Sequence, residues 1–184
     1  MNIKGKFVTL RAIEPHDLPM LQEMLNDPEM ERMVTGWSFP VSIIEQTSWY
    51  ESALGDNKNQ RFVIETEKDS ACGLATLTNI DWKNGNAFHG IKLSNKDNRT
   101  KGVGTDSVMA IMRYAFDELR LNRLDGAWFE YNVPSKGLYT KCGWVVEGIR
   151  RQCVYKNGKY HSLSNVGIIA SDYYKLVETN KYWV

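Results

Sequence analysis

The chain has 184 residues, 42% of them hydrophobic and 11% aromatic, enough apolar side chain for one core, so residues 1–184 are expected to form a single domain. Lys and Arg number 23 against 22 Asp and Glu; the net charge of +1 supplies no electrostatic reason for nucleic acid or an acidic membrane surface as partner. The cysteines (Cys72, Cys142, Cys153) contain no Cys-x-x-Cys pair and the histidines (His16, His89, His161) are scattered, so no metal site is expected and a reducing, cytoplasmic setting fits. The opening MNIKGKFVTLRAIEP lacks a signal peptide's apolar stretch, and no run of about 18 apolar residues follows it.

Phe7 to Ile13 alternates as a strand, and Glu14-Pro15 with Asp17 opens a helix carrying Leu18, Leu21, Met24 and Leu25 on one stripe. A second helix is predicted over Ser42 to Leu54, where Ser42 and Glu45 fit a capping box. Three strands follow, Arg61–Thr66, Cys72–Ile80 and Asn86–Leu93, joined by short polar turns that imply an antiparallel meander. Val108, Met109, Ile111, Met112, Ala115, Phe116 and Leu119 then recur at the period of a core-facing helix. A strand over Arg123–Tyr131, a short helix over Pro134–Lys141 and strands over Trp144–Tyr155 and Tyr160–Ala170 complete the order. Asn157-Gly158 joins the last two, because a type I′ turn needs positive φ at both central residues. The expected class is mixed α/β with a largely antiparallel, α+β-like sheet.

Between the third meander strand and the long helix lies SNKDNRTKGVGT, from Ser94 to Thr105. Glycines that lead from a strand into a helix aim free backbone N–H groups at one point, with the positive end of the helix dipole behind them, and that suits phosphate. Gly102 and Gly104 allow close approach, and Arg99 and Lys101 add charge; a plain tight turn is the alternative. A Walker A loop is absent, and Ser107 stands where a dinucleotide fingerprint needs its third glycine.

Arg99 to Gly104 (RTKGVG) resembles the Q/R-x-x-G-x-G/A motif of the GNAT superfamily of acetyl-CoA-dependent N-acetyltransferases. Asn132 to Trp144 (NVPSKGLYTKCGW) is similar to a second segment of that family, and VTLRAIEPHDL to the start of its branch containing ribosomal-protein N-terminal and spermidine acetyltransferases. The resemblance runs from about Lys4 to Ala170. It implies a sheet splayed after the fourth predicted strand, with the pantetheine arm of acetyl-CoA pairing with Ile91 to Ser94, Leu93 included. The pyrophosphate would lie on Arg99, Lys101, Gly102, Val103, Gly104 and Thr105, with Asn132 and Ser135 contacting the coenzyme or simply capping the short helix.

The same resemblance makes Tyr139 the acid that protonates the departing thiolate; a phenol with a pKa of about 10 carries its proton at neutral pH. The base is less defined. Relatives carry a glutamate in the fourth strand where this chain has Phe88. His89 is one residue along, on the opposite face unless a bulge intervenes. Glu130 is a second candidate, and a water-mediated route with no dedicated base is a third.

The acceptor implied is a small-molecule or peptide primary amine. Asp27, Glu29 and Glu31 suit a polyamine or form a solvated face, and Trp37, Phe39 and Tyr50 could line its pocket or pack in the core. A catalytically silent acyl-CoA-binding module and a nucleotide-binding protein are the rival readings. The terminal Tyr182-Trp183-Val184 either docks on the domain or joins a second copy, so a homodimer is compatible with the sequence.

Overall fold

A computed structural model of the chain describes residues 1–36, 39–68, 71–94 and 102–184. Its strands are β1 (Ile3–Lys4), β2 (Val8–Arg11), β3 (Gln60–Thr66), β4 (Gly73–Asp81), β5 (Asn86–Leu93), β6 (Arg123–Phe129), β7 (Val145–Lys156) and β8 (Lys159–Ile169), and its helices are α1 (Leu18–Asn26), α2 (Pro28–Met33), α3 (Ile43–Ser52), α4 (Val103–Arg113), α5 (Val133–Lys141) and α6 (Ala170–Asn180). One eight-stranded sheet runs in the order β1-β2-β3-β4-β5-β6-β8-β7. All neighbours are antiparallel except β5 and β6, which pair in parallel. The expected mixed, largely antiparallel class is the one observed.

The chemistry that predicts the elements also forms them. Ser42 caps α3, its hydroxyl accepting from Glu45 N at 3.2 Å while Glu45 Oε2 accepts from Ser42 N at 2.8 Å. Asn157 and Gly158 both take positive φ, 51° and 80°, and close the β7–β8 hairpin. Three elements were not expected: β1, α2 and α6. Asp27 starts α2 by accepting from Glu29 N, with Pro28 in the first turn where its missing N–H costs nothing. The long core helix is also not α-helical throughout, since Tyr114–Glu118 continues α4 as a π-helical turn.

Helices α4, α5 and α6 cover one face of the sheet. Val108, Met109, Ile111 and Met112 of α4, Tyr139 of α5 and Tyr173 of α6 share a core there with Leu10, Ile64, Leu77 and Leu124. Leu18, Leu21, Met24 and Met30 form a second cluster on the other face, against Trp49, Tyr50 and Leu74. Asp106, fully buried, ties the chain's two ends to α4. Its carboxylate accepts from the backbone N–H groups of Lys6, Phe7 and Val8 and from the Tyr182 hydroxyl, all at 2.9–3.0 Å. Trp183 donates to the Tyr173 hydroxyl and lies under the Arg113 guanidinium, so the apolar tail docks on its own chain.

Candidate active site

Strands β5 and β6 pair only at Asn86 with Arg123, Ala87 with Leu124 and Phe88 with Asp125. Beyond Phe88 they diverge, and β5 stays in register with β4 alone, through Leu93 opposite Gly73. The edge of residues 89–94 is thereby turned toward an opening instead of a neighbouring strand, as a substrate that adds itself to a sheet requires.

Two connected hollows occupy the opening. A groove of about 380 Å³ runs past Ile91, Leu93, Gly104, Thr105, Ser135 and Leu138. A chamber of about 230 Å³ lies deeper, bordered by Thr76, Thr78, Phe88, His89, Trp128 and Tyr139. Met33, Val34, Ile91, Lys92, Asn132 and Ser135 border both. At the outer end, Gly102 has φ of 83°, left-handed backbone that an L side chain resists, and from it α4 starts. Asp106 N bonds back to Gly102 O at 2.9 Å, leaving the preceding amides of the first turn as a cradle for an anion.

The predicted residues divide accordingly. Ile91, Leu93, Gly102, Gly104, Thr105, Asn132 and Ser135 border the groove. Val103 points into the core, where it is 3% exposed, so its side chain contributes packing. Ser94 closes the strand, its N–H bonded to Cys72 O at 2.9 Å. Arg99 and Lys101 lie outside the described residues, as does Trp37. Asn132 does two jobs: its side-chain carbonyl accepts from Ser135 N and caps α5, and its amide donates to Met33 O, which pins the end of α2 over the groove.

Tyr139 is buried among Trp128, His89 and Trp144, whose ring centroids stand 5.6, 5.7 and 4.9 Å away. Burial pushes its phenol well above the usual value. His89 is 1% exposed on the same face, donating from Nδ1 to Thr76 O at 3.0 Å, while its Nε2 has no partner among the described residues. Burial brings its pKa down to about 4, so the ring is neutral at neutral pH. The register confirms that His89 and Phe88 face opposite ways: His89 is opposite Leu77 of the α4-side core, Phe88 opposite Thr78. Glu130 is exposed on the turn after β6 and borders neither hollow.

Asp27, Glu31, Phe39 and Tyr50 are used otherwise. Asp27 caps α2, and Glu31 takes the buried Lys156 ammonium on both its carboxylate and its carbonyl. Tyr50 packs on the α1 cluster, while Phe39 sits beside Lys156 in a separate hollow. Sequence reasoning did not single out Thr76, Thr78 and Lys92. Their signal is a period of two: on the paired strands Thr78 opposes Phe88, Thr76 opposes Gly90 and Leu74 opposes Lys92, all on one face.

A parallel pair of strands that parts halfway, an anion cradle at one end of the gap and a buried tyrosine at the other are the marks of an acyltransferase that uses a long phosphorylated thioester. The family described as Acetyltransferase (GNAT) domain matches residues 8–145, and the chain belongs to that family. It is an acetyl-CoA-dependent N-acetyltransferase, acting on an amine. It is 27% identical to a prophage-derived N-acetyltransferase of Bacillus subtilis over 157 residues, 85% of this chain and 86% of the relative. It is also 27% identical over 169 residues to the spermidine N(1)-acetyltransferase of Vibrio cholerae, 90% of this chain and 95% of that one. The crystal structure of the Vibrio cholerae enzyme with CoA and spermine is similar at a TM-score of 0.85 and 26% identity, over 91% of this chain and 98% of that one. A further structure of that enzyme is described as dodecameric. Among the described residues no helix is long and apolar enough to cross a membrane.

Proposed function

We propose that the groove holds acetyl-CoA with its pyrophosphate on the first turn of α4 and its pantetheine along residues 91–94 of β5, and that the acceptor amine meets the thioester in the chamber beside Tyr139. The observation that carries this reading is the parting of β5 from β6 after Phe88, which supplies an unpaired strand edge leading from the cradle to the tyrosine.

The amine nitrogen attacks the thioester carbonyl carbon, the C–S bond breaks, and sulfur leaves with the electron pair. The Tyr139 O–H, which has no hydrogen-bond partner among the described residues, donates to that sulfur. A buried phenol is a weak acid, so its proton passes to sulfur as the C–S bond breaks and negative charge gathers there, and the proton left on the newly acylated nitrogen restores the phenol.

No carboxylate among the described residues borders the chamber. A histidine with a pKa of about 4 is a weak base toward an alkylammonium ion near 10, so the amine loses its proton to water at the chamber mouth. His89 and Glu130 then take no proton. The rate should therefore rise with pH toward the amine's own pKa, with no inflection near 6.5.

The test is thiol release from acetyl-CoA with amine acceptors. In Tyr139→Phe, kcat should fall by about tenfold or more while affinity for CoA stays within about twofold. An unchanged kcat removes Tyr139 from the chemistry. The whole chain serves as one catalytic domain in this reading. A homodimer would use the exposed edge strand β7, where Val145, Val146, Ile149 and Tyr155 are each about half exposed; light scattering on the wild type and on Ile149→Lys checks it, a monomer in both removing the proposal.

A further inference from the structure

We propose that Lys92 selects the acceptor: the substrate is a primary amine that carries a carboxylate close to the reacting nitrogen, and not a polyamine. This rests on the chamber being the place where amine and thioester meet.

Three observations place Lys92 on the acceptor's side. It stands opposite Leu74, which packs against the α1–α3 cluster, so it projects from the face of β5 shared with Phe88 and Gly90. Leu93, the next residue, projects the other way, its Cδ1 3.6 Å from where a Cβ on Gly104 would sit. The Leu93 side chain is therefore the one packed against the cradle's glycine, while Lys92 borders both the groove and the chamber. Finally, Lys92 borders the chamber together with Thr76 and Thr78, whose hydroxyls donate to Gly90 O and Phe88 O and keep lone pairs for an amine's N–H.

The charge is unbalanced. No hydrogen bond or ion pair among the described residues engages the Lys92 ammonium, and no Asp or Glu borders the chamber. Burial disfavours the charged form of Lys92, and the nearby cation Lys156, itself taken by Glu31, adds repulsion. A half-buried ammonium with no counter-ion is an expense that a fold avoids unless a ligand brings the negative charge. A substrate carboxylate fills that place with a charge-assisted hydrogen bond. Spermidine, with only positive charge to offer, would bring like charge toward Lys92, and two acids of the first helices are engaged elsewhere: Asp27 caps α2 and Glu31 holds Lys156.

The experiment measures kcat/KM for pairs of acceptors that differ by one negative charge: an α-amino acid against its amide, and a peptide N-terminus followed by Glu against the same peptide with Gln. Spermidine is the polycationic control. In the wild type the anionic member of at least one pair should exceed its neutral twin by about tenfold or more, and should exceed spermidine. The pair that discriminates tells whether the carboxylate is that of a free amino acid or of a peptide. Lys92→Met should bring the ratio near one, and Lys92→Arg should keep most of it. A carboxylic acid without an amine should inhibit the wild type competitively with the acceptor. This last arm needs no variant, so a poorly folding Lys92→Met does not leave the question open.

Ratios near one in every wild-type pair overturn the proposal, as does spermidine being the best acceptor or the ratio surviving in Lys92→Met. If Lys92→Met instead weakens CoA binding tenfold and leaves the ratio alone, Lys92 belongs to the coenzyme and the proposal also falls. Failure of the catalytic reading shows separately, as an unchanged kcat in Tyr139→Phe with the charge preference intact.

Discussion

His89 should make this protein sensitive to mild acid through its stability. The ring is enclosed in the folded chain with a pKa of about 4, and in the unfolded chain it returns to about 6.5. Between these values the unfolded state binds the extra proton, so stability falls as pH drops through 6.5 and the loss is complete below about 4. At pH 5 the two pKa values imply a loss of about 2 kcal/mol relative to pH 7.5, a shift of about 4–8 °C in Tm for a chain of this size. Urea unfolding at pH 7.5 and pH 5, for the wild type and for His89→Leu, isolates the effect. Carboxylates that titrate over the same range do so in both proteins and cancel in the difference. The wild type should lose about 2 kcal/mol more than the variant. Equal losses would show that the ring is not held neutral and would remove the argument against His89 as a base.

Asp106→Ala strands three backbone N–H groups and a phenol, so it should lower stability by about 3 kcal/mol or more in denaturant unfolding, with Asp106→Asn intermediate. Gly102→Ala must hold left-handed backbone at the start of α4; about 1 kcal/mol of stability should go, and CoA affinity measured by calorimetry should fall with it. Asn132→Ala removes the α5 cap and the tie to Met33 together, so KM for acetyl-CoA should rise several-fold, read from initial rates, with a Tm lower by a few degrees.

What the sequence makes legible here is local. Ser42 with Glu45 and Asn157 with Gly158 name their elements because a cap or a turn is decided within four residues. Much of the site is readable for the same reason, since the groove draws on one strand end, one helix start and one short helix. Helix α6 has Tyr173, Leu176 and Val177 at helical spacing against the core, yet its start follows β8 directly with no side-chain cap to mark it. Lys92 is harder still. A lysine in a strand reads as a solvated side chain until the partner strand shows which face it shares, and that face is fixed only by the pairing with Leu74, eighteen residues away. Glu130 errs the other way: close in sequence to Asn132, it falls on the turn where β6 ends and points to solvent.

Strand β5 presents two rows of side chains by its pleat, and on the proposed reading the acceptor depends more on one of them. Ala87, His89, Ile91 and Leu93 face the α4–α6 side of the sheet, whereas Phe88, Gly90 and Lys92 face the α1–α3 side. Both rows reach the two hollows, Ile91 from one and Lys92 from the other, along the edge where β5 has lost β6 and has no strand partner among the described residues. On the proposed reading, a thioester laid along that edge would present its carbonyl carbon to the amine and its sulfur to Tyr139. Gly90 belongs to the row of Phe88 and Lys92, and a side chain there would close to 3.0 Å of the Thr76 hydroxyl. Gly90→Val should therefore block the acceptor far more than the coenzyme: kcat/KM for the amine should drop by about tenfold or more while CoA still binds in calorimetry. Equal losses for both ligands would mean that the pleat does not divide them.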